Sequence, residues 1–126
     1  MSYWNRENFE GLREIGGTCG DRPGLERYAE YCRLREQGLK KPALAAARAF
    51  VAEAEARPTT AQRQLAEELA ALAWSHPAIH QLLPHPVREY LLAVFRAWAG
   101  EAGSGAAPHR WLGWLERDPA AYEQAL

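Results

Sequence analysis

The sequence lacks the features that mark several large classes of protein. It contains only two cysteines, Cys19 and Cys32, whose spacing differs from a CxxC pair, and it begins without the apolar stretch of a secretory signal. No apolar run approaches the roughly 18 residues that a membrane-spanning helix needs. We therefore expect a reduced, cytoplasmic protein that does not bind membranes.

Neither sign of charge is in excess. Fifteen basic and sixteen acidic residues leave a formal net charge of −1, so the strongly basic surface typical of nucleic-acid binding is missing. Hydrophobic residues make up 48% of the chain and charged residues 25%, the balance of a folded globular protein. Because 126 residues suffice for a single core, we predict one domain over residues 1–126.

Sustained alternation of apolar and polar residues, the pattern of a half-buried strand, is also absent. Ala, Leu, Glu and Arg are abundant instead, and apolar residues recur at helical spacing. We predict an all-α fold of about six to eight short helices, packed as antiparallel pairs in a bundle or array. A flexible loop of small residues is predicted at about 100–108.

Glycine and proline residues divide this helical pattern into segments. Gly16 and Gly17 are expected to break the first helix, and Asp21 and Pro23 to start the second. Gly38 should end that second helix, because glycine accepts the left-handed conformation just past a helix terminus.

The later helices have similar boundaries. Pro42 is expected to open the third helix, while Thr59 and Gln62 in the segment TTAQ predict a capping box at the start of the fourth. The strongest amphipathic pattern runs from Val87 to Trp98. The residues expected to be most deeply buried are Phe50, Leu69, Leu72, Leu91, Val94 and Phe95.

One segment resembles a known helical motif. The stretch LERYAEYCRLREQGLKKPALAAARAFVAEAEARP, residues 25–58, is similar to a tetratricopeptide-type helical hairpin, with small Ala43 and Ala47 preceding bulky Phe50. Residues 118–126 resemble the second helix of such a repeat. The resemblance implies a protein-binding scaffold. We expect the terminal hairpin either to pack its Tyr122 face into a hydrophobic groove or to be truncated.

Tryptophan provides the main functional signal. Trp111 and Trp114 share one face of a short predicted helix, where both can hardly be fully buried. Exposed indoles are enriched in protein interfaces, so we predict that Trp111, Trp114 and Tyr122 bind a partner. The favoured function is an interaction module of the scaffold, adaptor or immunity type, without a cofactor or an identified catalytic residue. Its partner would be a protein or peptide, or a second copy of the chain.

Three histidines in WSHPAIHQLLPHP support an alternative function. His76 and His80 stand four residues apart and could share a helical face, and His85 follows closely, as in some metal sites. No Glu gives the pair the H-E-x-x-H pattern, and a proline follows both His76 and His85, which disfavours helical dihedral angles. These residues therefore predict either a structural corner or, as the alternative, a small metal-binding protein or enzyme.

The segment GGTCGDRPG around Cys19 resembles a phosphate-binding loop only in its glycines. It is rich in glycine but lacks the Lys and Ser/Thr of a phosphate-binding loop, and no predicted strand precedes it. Cys19 is expected to be the more exposed thiol, whereas Cys32 lies on an apolar stripe and should be buried.

Overall fold

The computed structural model describes residues 2–116, with side chains for residues 10–116. The described part of the chain is all-α, as predicted, and contains no strand. The predicted terminal hairpin and Tyr122 lie outside the described residues. The helices are α1 (Ser2–Cys19), α2 (Glu26–Glu36), α3 (Lys40–Glu55), α4 (Thr59–Ser75), α5 (His85–Ala99) and α6 (Ala107–Glu116). Within residues 2–116, no helix combines the length and apolar character needed to cross a membrane.

Two helices organise the packing of the others. The central helix of the first half is α2, which packs along both α1 and α3 after short turns that return the chain. In the second half, α5 lies against α3, α4 and α6. Buried side chains from Leu12 in α1 to Leu115 in α6 form one contiguous hydrophobic core.

The first helix is longer than predicted, because Gly16 and Gly17 do not break it. A Cβ atom added at Gly16 would lie 3.4 Å from the Cβ atom of Cys32 and 3.4 Å from Cγ of Arg33, both in α2. Gly16 therefore lets two helices pack closely, and the packing of α1 on α2 offsets the low helix propensity of glycine. The prediction that Asp21 starts the second helix is also wrong, since α2 begins at Glu26.

Gly38 has the role expected of it. Its φ angle is +81°, in the left-handed region, and it follows the last residues of α2. The next helix begins at Lys40, so Pro42 lies within its first turn, where a missing N–H group has no intrahelical partner to lose.

The predicted capping box at α4 does not form. The N-cap residue is Pro58, and no side chain caps this end of the helix. Gln62 instead donates its Nε2 hydrogen to the carbonyl oxygen of Arg57, 2.8 Å away, beyond the end of α3. The Gln62 side chain therefore ties the start of α4 to the preceding turn rather than to its own N-cap.

The predicted core is largely correct, with two exceptions. Phe50, Leu69, Leu91 and Phe95 are each at most 1% exposed. The other two predicted core residues, Leu72 and Val94, are only partly buried and pack at the edge of the core. The helical stripe places all six on apolar faces, but the neighbouring helices do not cover the full width of each face.

The segment between α4 and α5 is fixed to the first half of the molecule. Tyr28 and Tyr31 of α2 donate their hydroxyl hydrogens to the backbone carbonyl oxygens of Leu82 and Gln81. Ile79 packs against Gly11 of α1, where an added Cβ atom would lie 2.4 Å from Cδ1 of Ile79. The position of this connection therefore depends on α1 and α2, which come much earlier in the chain.

The loop predicted at about 100–108 is shorter in the structure. Gly100 is the C-cap residue of α5, at the start of the predicted loop, but α6 already begins at Ala107, and Pro108 is buried. Proline is favoured in the first turn of a helix, where its fixed φ angle costs little.

Candidate functional site

Aromatic side chains from three helices form a continuous row along α4, α5 and α6. We call this set the aromatic row; its members, in spatial order, are Trp98, Phe95, Trp111, Trp114 and Trp74. Successive ring centroids are 6.3, 6.4, 5.8 and 5.7 Å apart. The first three rings are stacked, while the last two contacts are edge-to-face, a geometry favoured by the ring quadrupole.

The position of α6 determines this arrangement. Its Leu115 side chain is 1% exposed in the core, and Arg88 of α5 donates a hydrogen bond to the Leu115 carbonyl oxygen at 2.6 Å. With Leu115 held inward, Trp111 and Trp114 lie on the side of α6 that meets Phe95 and the end of α4. Both indoles are partly buried, in agreement with the prediction that they could not both be fully buried.

The two ends of the aromatic row have different surroundings. At one end the Arg63 guanidinium lies 5.2 Å from the centroid of the Trp98 ring and is ion-paired with Glu101. At the other end Trp74 is 60% exposed. Among residues with described side chains, only Leu39 and Trp74 are large hydrophobics classed as exposed.

A carboxylate lies beside the middle of the row. The Nε1 hydrogen of Trp111 points to Oε2 of Glu67 in α4 at 3.4 Å, a long and therefore weak hydrogen bond. The site thus combines aromatic faces with one acidic group.

Sequence reasoning did not select Trp74 as a site residue. A signal was available, because the buried positions Leu65 and Leu69 define the inner stripe of α4 and Trp74 falls outside it. A large aromatic residue away from the stripe is a candidate for an exposed position. Its contact with Trp114, however, depends on how α6 packs and has no local signature.

The three histidines are exposed and do not form a metal centre in the structure. Among the described residues, no group of three or more His, Cys, Asp or Glu side chains is placed to hold a metal ion. His76 ends α4 with non-helical dihedral angles, as predicted, and its Nδ1 lies 2.9 Å from the Leu72 carbonyl oxygen. His85 differs from the prediction, because it is the first residue of α5. The alternative function based on these histidines stays a prediction.

Both cysteines are buried, which corrects the expectation for Cys19. Cys19 is 2% exposed and Cys32 is fully buried. Burial raises the pKa of both thiols, that of Cys32 to about 12. Since the thiolate is the nucleophilic form, neither residue is activated for covalent chemistry in this fold.

An open cavity of about 330 Å³ lies where α3, α4 and α5 meet. Part of its polar wall is bonded internally, because Tyr90 donates to Oε1 of Gln62 at 2.9 Å and Gln62 donates to the carbonyl oxygen of Arg57. Burial raises the pKa of Tyr90 to about 12, and the negative charge of Glu55 acts in the same direction. Tyr90 therefore stays protonated near neutral pH and serves here as a hydrogen-bond donor.

No family model matches the chain, and neither curated proteins nor solved structures match it significantly. The tetratricopeptide-like resemblance therefore stays a prediction.

Proposed function

We propose that this chain is an α-helical protein–protein interaction module. Its docking surface is the open end of the aromatic row, centred on Trp74 and Trp114. The observation that carries the proposal is the 60% exposure of Trp74, a residue type that is otherwise concentrated in cores and interfaces. Its ring is held by edge-to-face contact with Trp114, so a partner would meet an indole that is already oriented.

The location of this surface supports the proposal. Trp114 and Trp111 extend inward from Trp74 to the fully buried Phe95, so the exposed indole is backed by rigid packing. Interface hot spots are typically aromatic anchors of this kind. The partner is a protein or peptide, and a cytoplasmic location suits a chain whose two buried cysteines are free thiols.

The experiment uses the full chain as bait in a lysate of its source cells, with quantitative mass spectrometry of the captured proteins. Trp74→Ala tests the surface, and Leu39→Ala is the matched control, because Leu39 is 45% exposed in the turn between α2 and α3. We expect the Leu39 variant to retain at least one partner. The Trp74 variant should bind that partner with about 30-fold lower affinity, equivalent to about 2 kcal/mol of binding free energy. Capture that is equal for both variants would exclude this surface.

A further inference from the structure

At the covered end of the aromatic row, a cationic side chain lies over the partly buried indole of Trp98. Arg63 places its guanidinium 5.2 Å from the Trp98 centroid, and the Glu101 carboxylate holds the guanidinium in place. The face of an indole carries negative electrostatic potential, so a cation above it is attracted. Within residues 10–116, the structure shows a cation–π contact between Arg63 and Trp98.

The surroundings of Trp74 suit a single side chain better than an extended apolar face. The exposed residues near it in sequence include the small residues Ala71, Ser75 and Ala78, and the aromatic residue that it contacts in space, Trp114, is partly buried. Docking of an apolar helix or of a second copy generally uses a contiguous apolar patch of several hundred Å². The Trp74 indole, 60% exposed and oriented by its contact with Trp114, offers the contact that one cationic group needs.

We propose that the open end of the aromatic row binds a cationic side chain of the partner, a guanidinium or an ammonium group, over the face of Trp74. This inference rests on the proposed function. The cationic group of the partner would lie over Trp74 as the Arg63 guanidinium lies over Trp98. The Glu67 carboxylate beside Trp111 adds attraction for a cation, whereas Arg110, exposed one turn before Trp114, opposes it.

The test is a titration of the full chain with two blocked peptides, Gly-Ser-Arg-Ser-Gly and the same peptide with citrulline in place of arginine. Citrulline keeps the shape of the side chain but carries no charge. Indole N–H signals in a two-dimensional NMR spectrum, assigned with single Trp→Phe variants, report each tryptophan separately. We expect the Trp74 and Trp114 signals to move on addition of the arginine peptide, while the Trp98 signal, already covered by Arg63, stays in place.

The expected affinity for the citrulline peptide is about two- to fivefold lower, because the cation–π attraction of an exposed site is lost. Trp74→Leu should abolish the response to the arginine peptide. Two charge variants give opposite changes: Arg110→Gln should strengthen binding, and Glu67→Gln should weaken it. Thermal melts of each variant establish that it is folded before the titration.

Three results would overturn the inference and leave the proposed function standing. One is equal binding of both peptides, which would show an apolar site. Another is no response of Trp74 to either peptide while capture of a protein partner still depends on Trp74. The third is concentration-dependent dimerisation that Trp74→Leu abolishes, measured by sedimentation, which would make a second copy the occupant. If capture of the protein partner did not depend on Trp74, the proposed function itself would be refuted.

Discussion

The hydroxyl group of Tyr28 donates a hydrogen bond of 2.7 Å to the backbone carbonyl oxygen of Leu82, 54 residues later in the chain. Tyr28 is fully buried, and its ring also makes an edge contact with Phe50, with centroids 5.9 Å apart. This single side chain therefore connects α2 to the segment that leads from α4 into α5.

Removal of this hydroxyl group should be costly. We expect Tyr28→Phe to lower the free energy of unfolding by about 1–3 kcal/mol, because it leaves the buried Leu82 carbonyl oxygen without its donor. Tyr90→Phe is the matched control, since the Tyr90 hydroxyl bonds to Gln62 in a less buried setting. Urea denaturation measures both variants, and an equal or larger loss for Tyr90→Phe would contradict the prediction.

Stability should fall at alkaline pH. Burial raises the pKa of Cys32 from 9.0 to about 12, so between these values the thiol ionises in the unfolded chain while it stays protonated in the folded one. The unfolded state then binds fewer protons, and unfolding becomes more favourable as pH rises. The Tm, followed by circular dichroism, should decrease across this window.

Two variants separate this effect from general destabilisation. Cys32→Ala removes one of the groups that titrate in this window, beside Cys19 and Tyr90, and should make the decrease of Tm with pH shallower. Leu72→Ala should lower Tm at every pH and leave the dependence on pH unchanged. Parallel curves for wild type and Cys32→Ala would show that this thiol does not contribute.

Two glycines of α1 should respond in opposite ways to the same substitution. Gly17→Ala introduces a methyl group into open space, and it should stabilise the helix by about 0.5–1 kcal/mol. Gly11→Ala would place its Cβ atom 2.4 Å from Cδ1 of Ile79, so it should be destabilising unless that side chain moves. Chemical denaturation of both variants tests this, and an equal gain for Gly11→Ala would mean that Ile79 is not packed on α1.

Two leucines of α4 should differ in the cost of truncation. Leu69 is 1% exposed, so Leu69→Ala should cost about 2–5 kcal/mol through lost burial and a cavity. Leu72 is only partly buried, and Leu72→Ala should cost clearly less. Equal losses in urea denaturation would show that α4 is covered more widely than its contacts indicate.

Much of the local structure follows from the sequence. The periodic apolar stripes predict helices and their inner faces, which is why Phe50, Leu69, Leu91 and Phe95 could be identified as core residues. Gly38 could be predicted as a helix end from short-range backbone preferences alone. These features are predictable because each depends on residues within a few turns of one another.

The tertiary structure decided the features that join distant segments. Gly16 lies inside a helix rather than at a break because α2 packs closely beside it, and Cys19 is buried although its neighbours in sequence suggest a loop. The pairing of Trp74 with Trp114 depends on the placement of α6 against α5. The sequence by itself determines which faces are apolar, whereas only packing between distant helices determines which part of each face stays exposed, because coverage is a non-local property.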